Sequence, residues 1–255
     1  MLLTVDVGNT NIKLGVYKND ELVFTSRIAT DRSMTEDQFA LRIRDILSLR
    51  GFSPSEFRGA IVSSVVPEVN RRLRTGIELI LGKKPLFLGA GIKTGLNIKI
   101  DDPSVLGADL VAGAVGAKEK YGYPCLVLDL GTATKVSAIS DKGDYLGVSI
   151  SPGVRLSLNA LANGASQLSQ ISLISPDHAI GTNTVDSMRS GLVYGTADML
   201  DGMITRMEVE LGYSVKAIVA TGGLCDICAN CRHDILIDKG LILDGLNYIY
   251  KKNEA

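Results

Sequence analysis

Two similar α/β domains facing each other across a cleft are the architecture this sequence predicts, on three observations. An apolar strand ending in Asp-x-Gly and then a cluster of Thr and Asn occurs as Leu3-Thr4-Val5-Asp6-Val7-Gly8-Asn9-Thr10-Asn11. It returns as Leu126-Val127-Leu128-Asp129-Leu130-Gly131-Thr132-Ala133-Thr134, with Asp129 lying 123 residues after Asp6, about half of the 255-residue chain. Each copy runs into a second apolar stretch, residues 12–17 and 135–139, so both read as strand, tight turn, strand. In each half, three strands are then followed by alternating helix and strand. The division falls at 1–118 and 119–255, each part near the commonest domain size.

Element by element, residues 21–28 continue the opening meander as a third strand. Thr35 with Gln38 forms a capping box, and Phe39, Ile43, Ile46 and Leu47 follow at helical spacing until Gly51. The run Ala60-Ile61-Val62-Ser63-Ser64-Val65 is a buried strand. Pro67 opens a second helix carrying Val69, Leu73, Ile77 and Leu81, and Pro85-Leu86-Phe87-Leu88 is a short strand. A helix over 110–121 precedes the second Asp-x-Gly turn. Beyond that turn come strands near 134–150, helices near 154–163 and 187–211, and a strand over 217–220 that ends in Thr221-Gly222-Gly223. A last helix spans 241–250. The segment Gly89-Ala90-Gly91-Ile92-Lys93-Thr94-Gly95 lacks the third glycine of a dinucleotide loop and the Gly before Lys of a Walker loop, so it reads as a turn-rich connection.

Composition narrows the function classes. Apolar residues make up 45%, charged residues 22%, and the formal net charge is −1, which offers no electrostatic basis for nucleic acid or an anionic membrane as partner. No apolar run approaches the roughly 20 residues of a membrane helix, and the N-terminus lacks a basic leader, so a cytoplasmic location is expected. Cys225, Cys228 and Cys231 are spaced three apart, but on a helix the third is rotated far from the first. They read as buried or half-exposed thiols rather than metal ligands, and Cys125 as core.

The turns carry the chemistry. Glycine lets backbone come close to a ligand while amides and small hydroxyls point at its oxygens, so a phosphate fits there and the Asp can hold a cation beside it. Asp6 is placed to hold Mg²⁺ through water, and Gly8, Asn9, Thr10 and Asn11 to meet phosphate oxygens. Lys13 reads equally well as a ligand or as a solvated strand lysine. The second turn adds Asp129 and the Thr132 hydroxyl. Gly222 and Gly223 either let a flat adenine approach or form a strand-to-helix turn. Phosphoryl transfer also needs a carboxylate near the acceptor hydroxyl. Asp109, in Gly107-Ala108-Asp109, is the candidate base, with a helix cap as its other reading. Asp101 and Asp102, before Pro103, look like turn residues.

The paired turns and Thr221-Gly222-Gly223 resemble the actin, Hsp70 and sugar-kinase superfold, whose domains are ribonuclease-H-like. The length and Gly107-Ala108-Asp109 resemble the type III pantothenate kinases within it, as do Ser151-Pro152-Gly153, Gly181-Thr182-Asn183-Thr184 with Ser187, Met188, Ser190 and Gly191, and Thr221-Gly222-Gly223-Leu224. The resemblance implies ATP-dependent phosphorylation of pantothenate, the first step of coenzyme A synthesis, by a homodimer with pantothenate at the subunit interface. It assigns residues 6–13 to ATP and Mg²⁺, Asp109 to general base, and Asp129 to a monovalent cation (K⁺ or NH4⁺). Thr132 goes to ATP, and Gly107, Ala108, Asp109, Leu110 and Thr184 to the acceptor. The chain departs from the family pattern where Leu110 stands in place of arginine and Ile100 in place of an aromatic residue. Leucine can neither bind a carboxylate nor neutralise developing charge. Two alternatives follow from that pair: a kinase for another small hydroxyl acceptor, or a nucleotide-binding regulatory paralogue.

Overall fold

The computed structural model describes residues 1–165 and 168–254. The opening meander forms β1 (Leu2–Val7), β2 (Asn11–Lys18) and β3 (Glu21–Ala29), all antiparallel. The chain continues through α1 (Glu36–Leu49), β4 (Gly59–Ser64), α2 (Pro67–Leu81) and β5 (Leu86–Phe87). Crossover through α1 lets β4 run parallel to β1, and the first sheet has the order β3-β2-β1-β4-β5. After β6 (Asn97–Ile98) and α3 (Ala108–Tyr121), the pattern repeats as β7 (Cys125–Leu130), β8 (Ala133–Ile139) and β9 (Asp144–Pro152). Then come α4 (Val154–Gly164), α5 (Thr184–Arg189), a π-helical turn over Ser190–Tyr194, and α6 (Gly195–Leu211). β10 (Ala217–Thr221), β11 (Leu236–Ile237) and α7 (Leu241–Asn253) complete the described strands and α-helices.

The second sheet has the order β11-β10-β7-β8-β9-β6. Without the short β6, it repeats the first: three antiparallel strands, then two parallel ones on the side of the strand that carries the Asp-x-Gly turn. The expected α/β duplication is present. The single helix expected over 187–211 is instead α5, the π turn and α6 in succession, because the extra residue of a π turn shifts which side chains face the core.

Local chemistry accounts for the element ends. The Thr35 hydroxyl accepts the Gln38 backbone N–H, the Gln38 side chain accepts the Thr35 N–H in return, and Phe39, Ile43 and Leu47 of α1 are buried. Pro67 sits in the first turn of α2, and Gly82 ends it in the left-handed conformation. Leu3, Val5 and Val7 meet Phe39, Ile43 and Leu47 of α1 and Val69, Leu73 and Ile77 of α2 on one face of the first sheet. On the other face, Leu2 and Ile61 meet Ala112 and Val115 of α3 and Leu243, Leu246 and Ile249 of α7.

The chain divides into two compact units, the first holding residues up to 96, 102–119 and α7, the second 97–101 and 120–239. The sequence boundary at 118/119 assigns α7 to the C-terminal half. In the structure this helix returns to the first unit, where its apolar face finds β1, β2 and β4 and where the Tyr17 hydroxyl donates to Asp244 Oδ1 at 2.5 Å. In the second unit, Leu126, Leu128 and Leu130 pack against Leu158, Val193, Leu200 and Ile204. Among the described residues, no helix is long and apolar enough to cross a membrane.

α3 and α7 touch backbone to backbone. A Cβ at Gly245 would lie 1.8 Å from the Ala112 carbonyl oxygen, and one at Gly116 would lie 2.3 Å from that of Leu241. Gly245→Ala therefore forces the helices apart and is expected to cost about 1–3 kcal/mol in urea denaturation. Gly202→Ala, inside α6 with nothing within 4 Å of the added carbon, is expected to gain about 0.5–1 kcal/mol.

Candidate functional site

The first turn stands at the C-terminal end of β1. Strand alternation sends Leu3, Val5 and Val7 into the core under α1 and α2, and so places Asp6 with Leu2 and Thr4 on the face covered by α3 and α7. Asp6 is half-buried and lies in register with Lys13 on β2 and with the fully buried Ser63 on β4. The loop between the strands is Gly8-Asn9-Thr10, closed by the Gly8 N–H donating to the Asn11 carbonyl at 3.0 Å. A following segment straps it down. Thr30 Oγ1 donates to the Gly8 carbonyl at 2.7 Å, the Thr30 N–H donates to the Thr10 carbonyl at 3.0 Å, and Arg32 Nη2 donates to Asn9 Oδ1 at 3.2 Å. Asn9, Thr10 and Asn11 remain exposed.

Asp109 belongs to the same end of the same unit. It lies in the first turn of α3, the helix on Asp6's face of the sheet, and its Oδ1 accepts the Leu110 N–H at 2.8 Å. Gly107 packs beside Val65, whose N–H donates to the Val7 carbonyl at 3.0 Å, so the start of α3 sits where β1 and β4 end. Ala108, Asp109 and Leu110 are half-buried. The first unit thus gathers two carboxylates, a lysine and an open polar loop at one sheet end. By contrast, Asp102 accepts from Ser104 N and Oγ at 2.9 and 2.6 Å, which holds its carboxyl below the usual range. It is the turn residue expected.

The second turn is tighter, with only Gly131 and Thr132 between the strands. Asp129 is in register with Lys135 and Thr221, and Lys135 Nζ meets Asp129 Oδ2 at 2.8 Å, both side chains largely buried. The Thr132 carbonyl accepts from the Gly153 N–H at 3.1 Å, and its side chain is at the exposed tip. Gly222, at φ 96°, presses on this turn: a Cβ there would lie 2.6 Å from the Leu130 carbonyl oxygen and 2.8 Å from Asp129 Oδ1. Close approach to the Asp129 turn is thus what this glycine permits.

Thr184 lies elsewhere in the second unit, exposed at the start of α5, where Asn183 caps the helix by accepting the Asp186 N–H at 3.0 Å. With Thr182, Asn183 and Ser187 it forms the polar side of a pocket of about 750 Å³ whose apolar side includes Leu161, Leu168, Met188 and Leu192. This pocket is not evident in the sequence, because Leu161 of α4 and the residues at the start of α5 that line it are some twenty positions apart in the chain. The segment 89–95 is the irregular connection expected; the Asn253 side chain holds it at the Lys93 N–H and carbonyl. A further pair, Asp201 and His233, escaped sequence reading because its partners lie 32 residues apart: Asp201 Oδ1 and His233 Nδ1 are 2.6 Å apart. Among the described residues, no group of three His, Cys, Asp or Glu is arranged to hold a metal ion.

Comparison with known proteins accords with this arrangement. The family model described as type III pantothenate kinase matches residues 2–206. The type III pantothenate kinase of Myxococcus xanthus is 43% identical over 256 residues, covering 100% of both chains. That of Halalkalibacterium halodurans is 43% identical over 254 residues, covering 99% of this chain and 100% of its own. Among solved structures, component A of the Acidaminococcus fermentans (R)-2-hydroxyglutaryl-CoA dehydratase aligns with TM-score 0.57 at 17% identity, over 98% of both chains. The neighbours share the actin-like ATPase and sugar-kinase fold.

Two outcomes test the packing of the site. Gly222→Ala places a carbon against Leu130 and demands a positive φ, so it is expected to cost about 2 kcal/mol or more in urea denaturation, while Gly223→Ala, with nothing within 4 Å, stays within about 0.5 kcal/mol. Burial pushes the Asp201 carboxyl up, but the N–H groups of Arg232 and His233 and the His233 ring together hold it below its ordinary value. A lowered carboxyl stabilises above its unfolded pKa of about 3.9, and that contribution is lost as pH falls through the folded value. Asp201→Asn is therefore expected to lower stability by about 1–3 kcal/mol at neutral pH and to narrow the gap to wild type below about pH 4, read from denaturation at several pH values.

Proposed function

Because the chain belongs to the type III pantothenate kinase family, we propose that it transfers the γ-phosphate of ATP to the 4′-hydroxyl of pantothenate, the first step of coenzyme A synthesis. The observation that carries the mechanism is the placement of Asp6 and Asp109 on one face of the first sheet, at the end where β1 and β4 stop and α3 starts.

In this reading Asp109 takes the proton of the acceptor hydroxyl while the hydroxyl oxygen bonds to the γ-phosphorus and the bridging oxygen leaves with ADP. The Leu110 N–H on Oδ1 fixes the carboxylate's orientation. Asp6, Gly8, Asn9, Thr10, Asn11, Lys13 and Thr132 bind ATP, the exposed amides and hydroxyls of the turns meeting its phosphates. Asp6, an oxygen donor at a strand end, suits Mg²⁺ held through water; the ion, when bound, neutralises phosphate charge. At Asp129, Lys135 already balances the carboxylate, which suits a monovalent ion, K⁺ or NH4⁺, better than a divalent one. Thr184, which lines its pocket, and Gly107, Ala108 and Leu110 beside the base contact the acceptor. A cytoplasmic homodimer completes the proposal.

Leu110 favours a second reading, a kinase for a different small hydroxyl compound, because an aliphatic side chain beside the base offers a carboxylate acceptor no charge. The purified protein with Mg²⁺-ATP, potassium and pantothenate is expected to form phosphopantothenate, with Asp109→Asn lowering kcat by about a hundredfold or more. Leu110→Arg is expected to raise kcat/KM for pantothenate. ADP release with other alcohols but not with pantothenate would select the second reading.

A further inference from the structure

Three of the four cysteines gather where β10 leaves the second sheet, and phosphate transfer uses none of them. Cys225 and Cys228 are buried and Cys231 is half-buried. After Thr221-Gly222-Gly223-Leu224 the chain makes a 3₁₀ turn over Cys225–Asn230, and the Cys231 N–H donates to the Cys228 carbonyl at 3.0 Å. Such a turn holds its end α-carbons within about 7 Å, close to the roughly 4.4–6.8 Å that a disulfide spans. The two thiols are electrically distinct. Cys231 is lowered, first because the Cys228 thiol can donate to its thiolate, against burial and the charges of Asp201 and Asp198. Cys228 is pushed up by the same interaction and by burial. The half-exposed sulfur is the nucleophile and the buried one keeps its proton, a division of labour that suits a redox pair.

The same turn is fastened to the Asp129 hairpin. The Leu224 N–H donates to the Leu130 carbonyl at 3.2 Å, the oxygen against which Gly222 packs, and the Ile227 N–H donates to Leu224 at 3.1 Å. Cys231 Sγ donates to the Ala197 carbonyl of α6 at 3.6 Å, a bond that a disulfide would release.

We propose that Cys228 and Cys231 form a reversible dithiol–disulfide pair, opened and closed by exchange with small-molecule disulfides, whose closed form weakens nucleotide binding by shifting Leu224 and the Asp129 turn. The Cys231 thiolate attacks one sulfur of the small disulfide, forming a mixed disulfide and releasing one thiolate. Cys228, giving up its proton to solvent, attacks the Cys231 sulfur, closes the Cys228–Cys231 bond and releases the second thiol. Two protein thiols are oxidised and one small disulfide is reduced to two thiols. Only the effect on nucleotide binding rests on the kinase reading.

The test treats the whole protein with glutathione disulfide and maps its cysteines by alkylation and peptide mass. Wild type and Cys225→Ser are expected to lose two hydrogens in the peptide bearing Cys228 and Cys231, reversibly with dithiothreitol. Cys228→Ser, or Cys228→Ala should the serine variant fold poorly, traps a glutathione adduct on Cys231. Retention of both free thiols in wild type, or an adduct on Cys228 with Cys231 free, overturns the pair. Calorimetry with Mg²⁺-ATP on the oxidised protein is expected to show a Kd raised about tenfold, restored on reduction and unchanged by the same treatment in Cys231→Ser, which lacks the attacking thiol. An unchanged Kd in a fully oxidised sample overturns the coupling. Absence of ATP binding by the reduced protein would count against the kinase reading and leave the dithiol chemistry standing.

Discussion

The two-residue period of β1 is the constraint from which the rest of the site follows. Leu3, Val5 and Val7 must enter the core beneath α1 and α2, so Thr4 and Asp6 must face α3 and α7. A slip of one residue in register would drive a carboxylate into the apolar core beneath α1 and α2 and push three large side chains into the space that α3 and α7 already fill, an exchange that costs several kcal/mol. Asp6 is therefore fixed in position by hydrophobic burial on the opposite face. Its chemistry depends on residues that never touch it.

The duplication applies that constraint twice, with different results. In both sheets the acidic residue is the last but one of the strand that leads into the turn, a lysine stands opposite it across the hairpin, and a small hydroxyl residue, Ser63 or Thr221, stands opposite on the parallel neighbour. The turns differ by one residue, which leaves Asn9 and Thr10 exposed in the first and brings Gly222 hard against the second. One turn is strapped by a polar segment, Thr30 to Arg32. The other is squeezed by glycine contacts.

Much of this is legible in the primary structure because it is local. The Thr35 and Gln38 capping box, Pro67 at the head of α2, and the two hairpins depend on residues a few positions apart, and each stands where its sequence places it. The duplicated order of strands follows from the repeated Asp-x-Gly grammar. What escapes is whatever depends on distant partners. The hydrogen bond between Asp201 and His233 and the pocket beside Thr184 are built from segments whose approach no spacing encodes. The π turn at Ser190–Tyr194 is hidden for another reason: its apolar residues continue a helical pattern, and only packing shows the shifted phase.

α7 has a consequence for how the molecule is made. The strands of the first sheet leave the ribosome early, yet one side of that sheet waits for Leu243, Leu246 and Ile249, residues synthesised only after the whole second unit. Until then Leu2 and Ile61 have only Ala112 and Val115 of α3 to pack against, and the nascent chain carries a half-covered greasy surface while the second unit is translated. The unit begun first is the last to be finished, and the intervening polypeptide must fold quickly or be shielded while its elder half stands open.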